Sequence, residues 1–184
     1  MNNEIINALN VLKFGGTVLY PTDTIWGIGC DALSDIAVKR IFQIKNRDYS
    51  KSLICLASSF EMIEEYVSIK DIEKLKKISK EAPTTFIFNN PKRISNYVTA
   101  DSNSIAIRVP NNDFCIDLIE SLGRPIVSSS ANLSGEKIPL NFSEINYRIR
   151  DNVDYVVKQD KDKNSNSSSR ILKLEEDGSI LTLR

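Results

Sequence analysis

In residues 4–14, Ile5, Leu9 and Leu12 recur on one helical face, and Gly15-Gly16 closes the run. Residues 17–20 (TVLY) form a short β-prone stretch stopped by Pro21. Residues 21–31, rich in Thr, Gly and Asp, read as a loop. Ser34 and Asp35 supply a cap and a first-turn acid for a helix carried by Ile36, Ile41 and Ile44 to Lys45-Asn46-Arg47. Apolar residues 52–57 predict a buried strand, 59–67 and 71–79 predict helices, and 84–88 and 105–109 predict strands. Asp113 is the expected cap of a helix that runs to Leu122 and is closed by Gly123. Further strands are predicted at 126–128 and 154–157, with a short helix at 143–149. The last residues predict a hairpin, 171–174 and 179–183, turning on Asp177-Gly178. Strands and helices interleave throughout, which predicts an α/β domain, one unit over residues 1–184. The polar stretch 160–169 (DKDKNSNSSS) reads as a flexible loop.

Composition narrows the chemistry. The chain has no histidine, which excludes Ser-His-Asp and Cys-His nucleophilic catalysis and a zinc site built on His. Three cysteines, Cys30, Cys55 and Cys115, lie among apolar residues with no C-x-x-C pair, so they read as reduced core thiols. Lys plus Arg is 24 and Asp plus Glu is 24, which disfavours a protein whose main task is gripping nucleic acid. No apolar run approaches the roughly 18 residues of a membrane span. The N-terminus lacks the basic start and cleavage site of a signal peptide, so a cytoplasmic location and no membrane partner are expected.

Four places combine loop position with reactive or anion-binding side chains. The first is Tyr20-Pro21-Thr22-Asp23-Thr24 followed by Gly27 and Gly29, where a strand ends and glycines allow close backbone approach. The second is Lys45-x-Arg47 with Lys51, cations that converge on an anion once the helix has stopped. The third is residues 128–135 (SSSANLSG), a run of small hydroxyl residues after a strand that offers an anion-binding nest. It contains neither a P-loop nor a G-x-S-x-G elbow. The fourth is Ser104-Ile105-Ala106-Ile107-Arg108, which as a strand puts Ser104, Ala106 and Arg108 on one face. Each has a bland counterpart: an ordinary turn, favourable cations at a helix end, a solvent-facing loop, a structural ion pair.

Taken together, YPTDTIWGIG, KNR, SIAIRVP and SANLSG occur in the order and spacing of the YrdC/TsaC family, and the chain resembles that family over essentially its whole length. The resemblance implies a twisted mixed sheet with flanking helices around a concave, positively charged cleft. It implies a nucleotidyltransferase, L-threonylcarbamoyladenylate synthase, which converts L-threonine, bicarbonate and ATP, with Mg²⁺, to the adenylate and pyrophosphate. A threonylcarbamoyltransferase complex then modifies tRNA, and weak tRNA binding is possible in such a protein. The chain is similar to the short form, without an appended domain.

Carried over by position, the resemblance makes Lys45, Arg47, Ser130 and Asn132 the catalytic set around the phosphates. It assigns Arg47, Lys51, Ser104, Asn132, Leu140 and Arg184 to ATP, and Thr24, Arg108, Ser130 and Ser169 to threonine, with Arg108 on its carboxylate. No metal ligand is assigned. The competing reading is a non-catalytic module that binds double-stranded RNA or tRNA.

Overall fold

A computed structural model describes residues 2–100, 102–161, 168–175 and 177–184. Most of the 160–169 stretch therefore lies outside the described residues. In chain order the elements are α1 (Asn3–Lys13), β1 (Val18–Tyr20), β2 (Gly27–Gly29), α2 (Asp35–Lys45), β3 (Ile54–Leu56), α3 (Phe60–Glu64) and α4 (Ile72–Glu81). There follow β4 (Thr84–Asn89), α5 (Asn96–Thr99), β5 (Ser104–Arg108), α6 (Asp113–Leu122), β6 (Ile126–Val127) and β7 (Ser129–Ser130). A 3-10 turn (Phe142–Glu144), α7 (Tyr147–Arg150), β8 (Tyr155–Val156), β9 (Arg170–Leu174) and β10 (Ile180–Thr182) complete the chain.

The expected α/β architecture is present, built as two mixed sheets with flanking helices. One has the order β7-β2-β1-β8 and the other β10-β9-β4-β5-β3-β6. β1/β8, β3/β5 and β4/β9 pair in parallel, and the remaining neighbours are antiparallel. The chain passes from one sheet to the other at Ser128, the single residue between β6 and β7, whose N–H donates to the Ile54 carbonyl.

Strand alternation gives the six-stranded sheet two different faces. Phe86 and Phe88 of β4, Ile105 and Ile107 of β5 and Leu172 of β9 enter one apolar cluster with Ile41 and Phe42 of α2, Ile63 of α3 and Leu75 of α4. The opposite face carries Ile87, Ala106, Arg108 and Ile171 into a cavity. A second cluster packs α1 against α6 through Ile5, Leu9, Leu12, Phe114, Leu118 and Ile119, closed by Val18, Tyr20 and Ile126. Cys30, Cys55 and Cys115 are free and buried, as expected.

Local chemistry explains the boundaries. Ser34 Oγ accepts from Ala37 N at 3.3 Å and Asp71 Oδ1 from Lys74 N at 2.9 Å, starting α2 and α4. The cap of α6 is Asn112 rather than Asp113: its Oδ1 accepts from Cys115 N at 2.9 Å, and Asp113 becomes the first-turn acid. Residues 21–31 are not all loop, because Gly27–Gly29 pair with β1 as β2. The helix expected at 143–149 divides into the 3-10 turn and α7.

Candidate functional site

Where the two sheets meet, residues from both surround a cavity of about 340 Å³. Its lining includes Thr22, Thr24 and Trp26 before and at the start of β2, Arg47 after α2, and Ala106 and Arg108 from β5. Ser128, Ser129 and Ser130 line it from the sheet junction, and Ser169, Ile171 and Arg184 from the C-terminal hairpin. Among the described residues, Arg47, Arg108 and Arg184 are the charged residues of the lining, and no Asp or Glu side chain belongs to it. Among the described residues, no group of three His, Cys, Asp or Glu is placed to hold a metal ion.

Arg108 is 4% exposed and is held on two sides. Its Nη1 lies 2.8 Å from Asp23 Oδ1 and donates to Asp23 Oδ2 at 2.9 Å, while Nη2 donates to Thr24 Oγ1 at 3.0 Å. Thr24 Oγ1 lies 3.0 Å from Thr22 Oγ1, which in turn donates to the Ile25 carbonyl at 2.8 Å. With Thr24 accepting from the guanidinium, its own proton goes to Thr22, so the hydroxyls form a directed chain.

Lys45 and Arg47 part company at Asn46. Asn46 adopts a left-handed conformation, φ 48°, as the C-cap of α2, and Arg47 N donates back to the Phe42 carbonyl at 2.9 Å. The helix thus stops before Arg47, whose Nη2 donates to the Ser52 carbonyl at 2.9 Å and whose Nε is buried with no hydrogen-bond partner among the described residues. Burial holds the Arg47 guanidinium below its ordinary pKa. Lys45 instead points inward, 2% exposed, and its Nζ donates to the carbonyls of Ser130 and Asn132. Burial first, and the nearby Arg47 charge second, lower its pKa to about 7.

The loop after β7 is tightly committed. The N–H groups of Ser128, Ala131, Asn132 and Ser134 donate to the carbonyls of Ile54, Trp26, Ser130 and Lys45. The backbone nest anticipated over 128–135 is therefore largely used internally, and Ser128–Ser130 are what the loop contributes to the cavity. Asn132 Nδ2 donates to the carbonyls of Leu133 at 3.0 Å and Glu136 at 2.9 Å, while Oδ1 is buried with no partner among the described residues. This side chain has an acceptor left to offer, and both of its donors are engaged.

Ser169 Oγ lies 2.8 Å from Thr85 Oγ1, and the Ser169 carbonyl accepts from Arg184 Nε at 3.2 Å and Nη2 at 3.0 Å. The hairpin thereby places its terminal guanidinium at the cavity. Of the residues singled out from sequence, Thr24, Arg47, Arg108, Ser130, Ser169 and Arg184 meet at this lining. Lys45, Lys51, Ser104, Asn132 and Leu140 are outside it; Lys51 and Leu140 are exposed. Sequence reasoning placed Thr22 and Asp23 in a candidate loop without giving either a role, and it passed over Thr85. The Thr22-Asp23-Thr24 triplet was the available signal, since alternate hydroxyls around an acid at a strand end can bind each other and a cation.

Gly27 and Gly29 answer to packing. A Cβ on Gly29 would lie 2.0 Å from the Val127 carbonyl oxygen and 2.9 Å from Tyr20 Cε1, and one on Gly27 would lie 2.9 Å from Ser128 Oγ. The close approach foreseen for these glycines is made by β6 and by the Tyr20 ring, whose hydroxyl donates to the Val127 carbonyl at 3.1 Å.

Comparison with known proteins agrees with this architecture. The Sua5/YciO/YrdC family, described as "Telomere recombination", matches residues 10–184. A relative from Klebsiella pneumoniae, named Threonylcarbamoyl-AMP synthase, is 34% identical over 163 residues, covering 82% of this chain and 84% of that protein. The structure of P. abyssi Sua5 complexed with L-threonine superposes with a TM-score of 0.85 at 26% identity, covering all of this chain and 55% of that one. This chain thus spans little more than half the length of that Sua5 protein. The fold is also that of E. coli YciO, at a TM-score of 0.80 and 23% identity, covering 98% of this chain and 87% of the other. On the match over residues 10–184 and the 34% identity, the chain belongs to the Sua5/YciO/YrdC family.

Proposed function

We propose that this protein is a threonylcarbamoyl-AMP synthase, forming L-threonylcarbamoyladenylate and pyrophosphate from L-threonine, bicarbonate and ATP. The observation that carries the reading is the cavity itself. Six residues assigned to the substrates from sequence, far apart in the chain, line one space, with three arginines and no Asp or Glu side chain among the described residues. That lining suits a polyphosphate and an amino-acid carboxylate together. The name of the Klebsiella relative and the threonine complex of P. abyssi Sua5 support the same reading.

In this scheme Arg108 takes the threonine carboxylate, beside Thr24, Ser130 and Ser169. Arg47 and Arg184 take the phosphates. Lys51, Ser104 and Leu140 are outer contacts of the nucleotide, beyond the lining. Lys45 fixes the carbonyls of Ser130 and Asn132 and so sets the shape of the serine loop. Asn132, outside the lining, ties down the same loop through Nδ2 to the carbonyls of Leu133 and Glu136 and so acts on the phosphates through the shape of the loop.

The amine of threonine and bicarbonate give a carbamate and water. The carbamate oxygen attacks the α-phosphorus of ATP, and the bond to pyrophosphate breaks. No covalent enzyme intermediate is required, consistent with a chain that has no histidine. The protein's part is to align the carbamate with the phosphorus and to stabilise charge on the phosphate oxygens. Mg²⁺ enters as part of the ATP substrate, held by phosphates and its own waters. The product serves cytoplasmic tRNA modification by a threonylcarbamoyltransferase complex. Incubation with carbon-labelled bicarbonate, threonine, ATP and Mg²⁺ tests the reading. Label in a species that also contains AMP is expected, and label remaining in bicarbonate alone contradicts it.

A further inference from the structure

The carboxylate of Asp23 is 8% exposed, and every protein contact drawn to it comes from a donor. Arg108 Nη1 donates to Oδ2 at 2.9 Å and forms an ion-pair contact with Oδ1 at 2.8 Å, an oxygen with no hydrogen bond among the described residues, and the backbone N–H of Asn111 donates to Oδ2 at 3.2 Å. Thr24 Oγ1 takes Nη2 of the same guanidinium at 3.0 Å. Asp23 and Thr24 are adjacent in the loop before β2, whereas Arg108 ends β5 and Asn111 follows it. The four groups tie the first loop of one sheet to the strand end of the other across the wall of the cavity.

We infer that Asp23 is a positioning residue for threonine recognition: it holds the Arg108 guanidinium in one plane, with one edge spent on protein and the other turned to the substrate carboxylate. The inference rests on the proposed function and adds to it a residue that itself lies outside the cavity lining. The physical argument has two parts. A buried guanidinium needs an anionic partner even when no substrate is bound, and Asp23 supplies it. A free Arg side chain also has several rotatable bonds, and fixing it beforehand removes the ordering cost from the binding step.

An alternative role, that of simply neutralising Arg108, predicts the opposite sign. If Asp23 only cancelled charge, its removal would expose a stronger cation and tighten carboxylate binding. If it positions Arg108, its removal frees the guanidinium and weakens binding. Asp23→Asn separates the two. It keeps size and removes charge, and in either orientation its amide sets a donor against Arg108 Nη1, which lies against both oxygens.

The test is calorimetric titration of L-threonine into wild type, Asp23→Asn and Asp23→Glu, with ATP titrated separately and melting temperatures recorded. Positioning predicts a threonine Kd at least tenfold weaker in Asp23→Asn, recovery toward wild type in Asp23→Glu, and an ATP Kd within about twofold throughout, in line with the effect of freeing one preorganised ionic contact. Unchanged or tighter threonine binding in Asp23→Asn overturns the inference, as does a parallel loss for threonine and ATP. If Asp23→Asn does not fold, nitrogen NMR of the wild-type Arg108 guanidinium decides. Slow rotation without threonine supports the clamp, and free rotation overturns it. Threonine binding by wild type without turnover would count against the synthase and leave the clamp standing, so the two readings fail separately.

Discussion

Lys45 Nζ donates to the Asn132 carbonyl at 2.8 Å from a position 2% exposed, so the cation nearest the serine loop is spent on the protein's own backbone. Its pKa, lowered to about 7 by burial and by Arg47, gives a signed prediction. Below pH 7 the amine is charged in both folded and unfolded chains, and the full cost of burying the charge is present. Between pH 7 and the unfolded value near 10.5, the unfolded chain binds the proton and the folded chain releases it, so stability rises with pH. Relative to Lys45→Met, wild type should gain up to roughly 1.4 kcal/mol per pH unit across that window. Urea unfolding of both proteins at pH 6.5, 7.5 and 8.5 (about one unit apart, spanning the folded value) measures it, and parallel curves would contradict it.

Arg47 is placed by the left-handed turn at Asn46 and retains a buried Nε with no hydrogen-bond partner among the described residues. Arg47→Ala should slow adenylate formation by about 10²–10³, the usual cost of one lost transition-state donor. Threonine binding, which depends on Arg108, should change little. Rapid-quench measurement of product in a single turnover separates the two, and near wild-type chemistry would remove Arg47 from the reaction.

The buried pair Arg108–Asp23 predicts strongly coupled stability effects. Arg108→Ala leaves a carboxylate that is 8% exposed without its partner, at a cost of about 3–5 kcal/mol. Adding Asp23→Ala should recover part of that loss instead of adding to it. Denaturant unfolding of the two single variants and the double variant gives the coupling; simple additivity would show that the pair does not act as one.

Two glycines separate steric from conformational demand. Gly29→Ala puts a methyl 2.0 Å from a backbone oxygen and should cost about 3 kcal/mol or more. Gly123→Ala meets open space but keeps φ at +74°, costing about 1–2 kcal/mol. Equal losses would contradict the packing account of β2.

Much of the fold was legible because helix ends are written in side-chain chemistry. Ser34, Asp71 and Gly123 mark boundaries that the structure keeps. The hairpin at Asp177-Gly178 forms with Gly178 at φ 88°, the backbone state its sequence favours. β2 was hidden because Gly27 and Gly29 are poor strand formers. Val127 and Tyr20 leave no room for a side chain at Gly29, and Ser128 Oγ crowds one at Gly27. The cap of α6 shifted by one residue because Asn112 and Asp113 are both competent caps, and only the geometry of Cys115 N chooses. At the site, sequence order identified the residues that meet but not the direction each faces. Lys45 and Arg47 differ by two positions and by whether they point under or into the cavity, a difference set by one left-handed residue. Asp23 lay in a candidate loop but had no assigned role, because its importance lies in Arg108, 85 residues away.

The measurement that tests the central claim most directly is pyrophosphate release by the purified protein with ATP and Mg²⁺, with L-threonine and bicarbonate supplied separately and together. The account predicts release only when both are present. Release with ATP alone, or no release under any of these conditions, would contradict it.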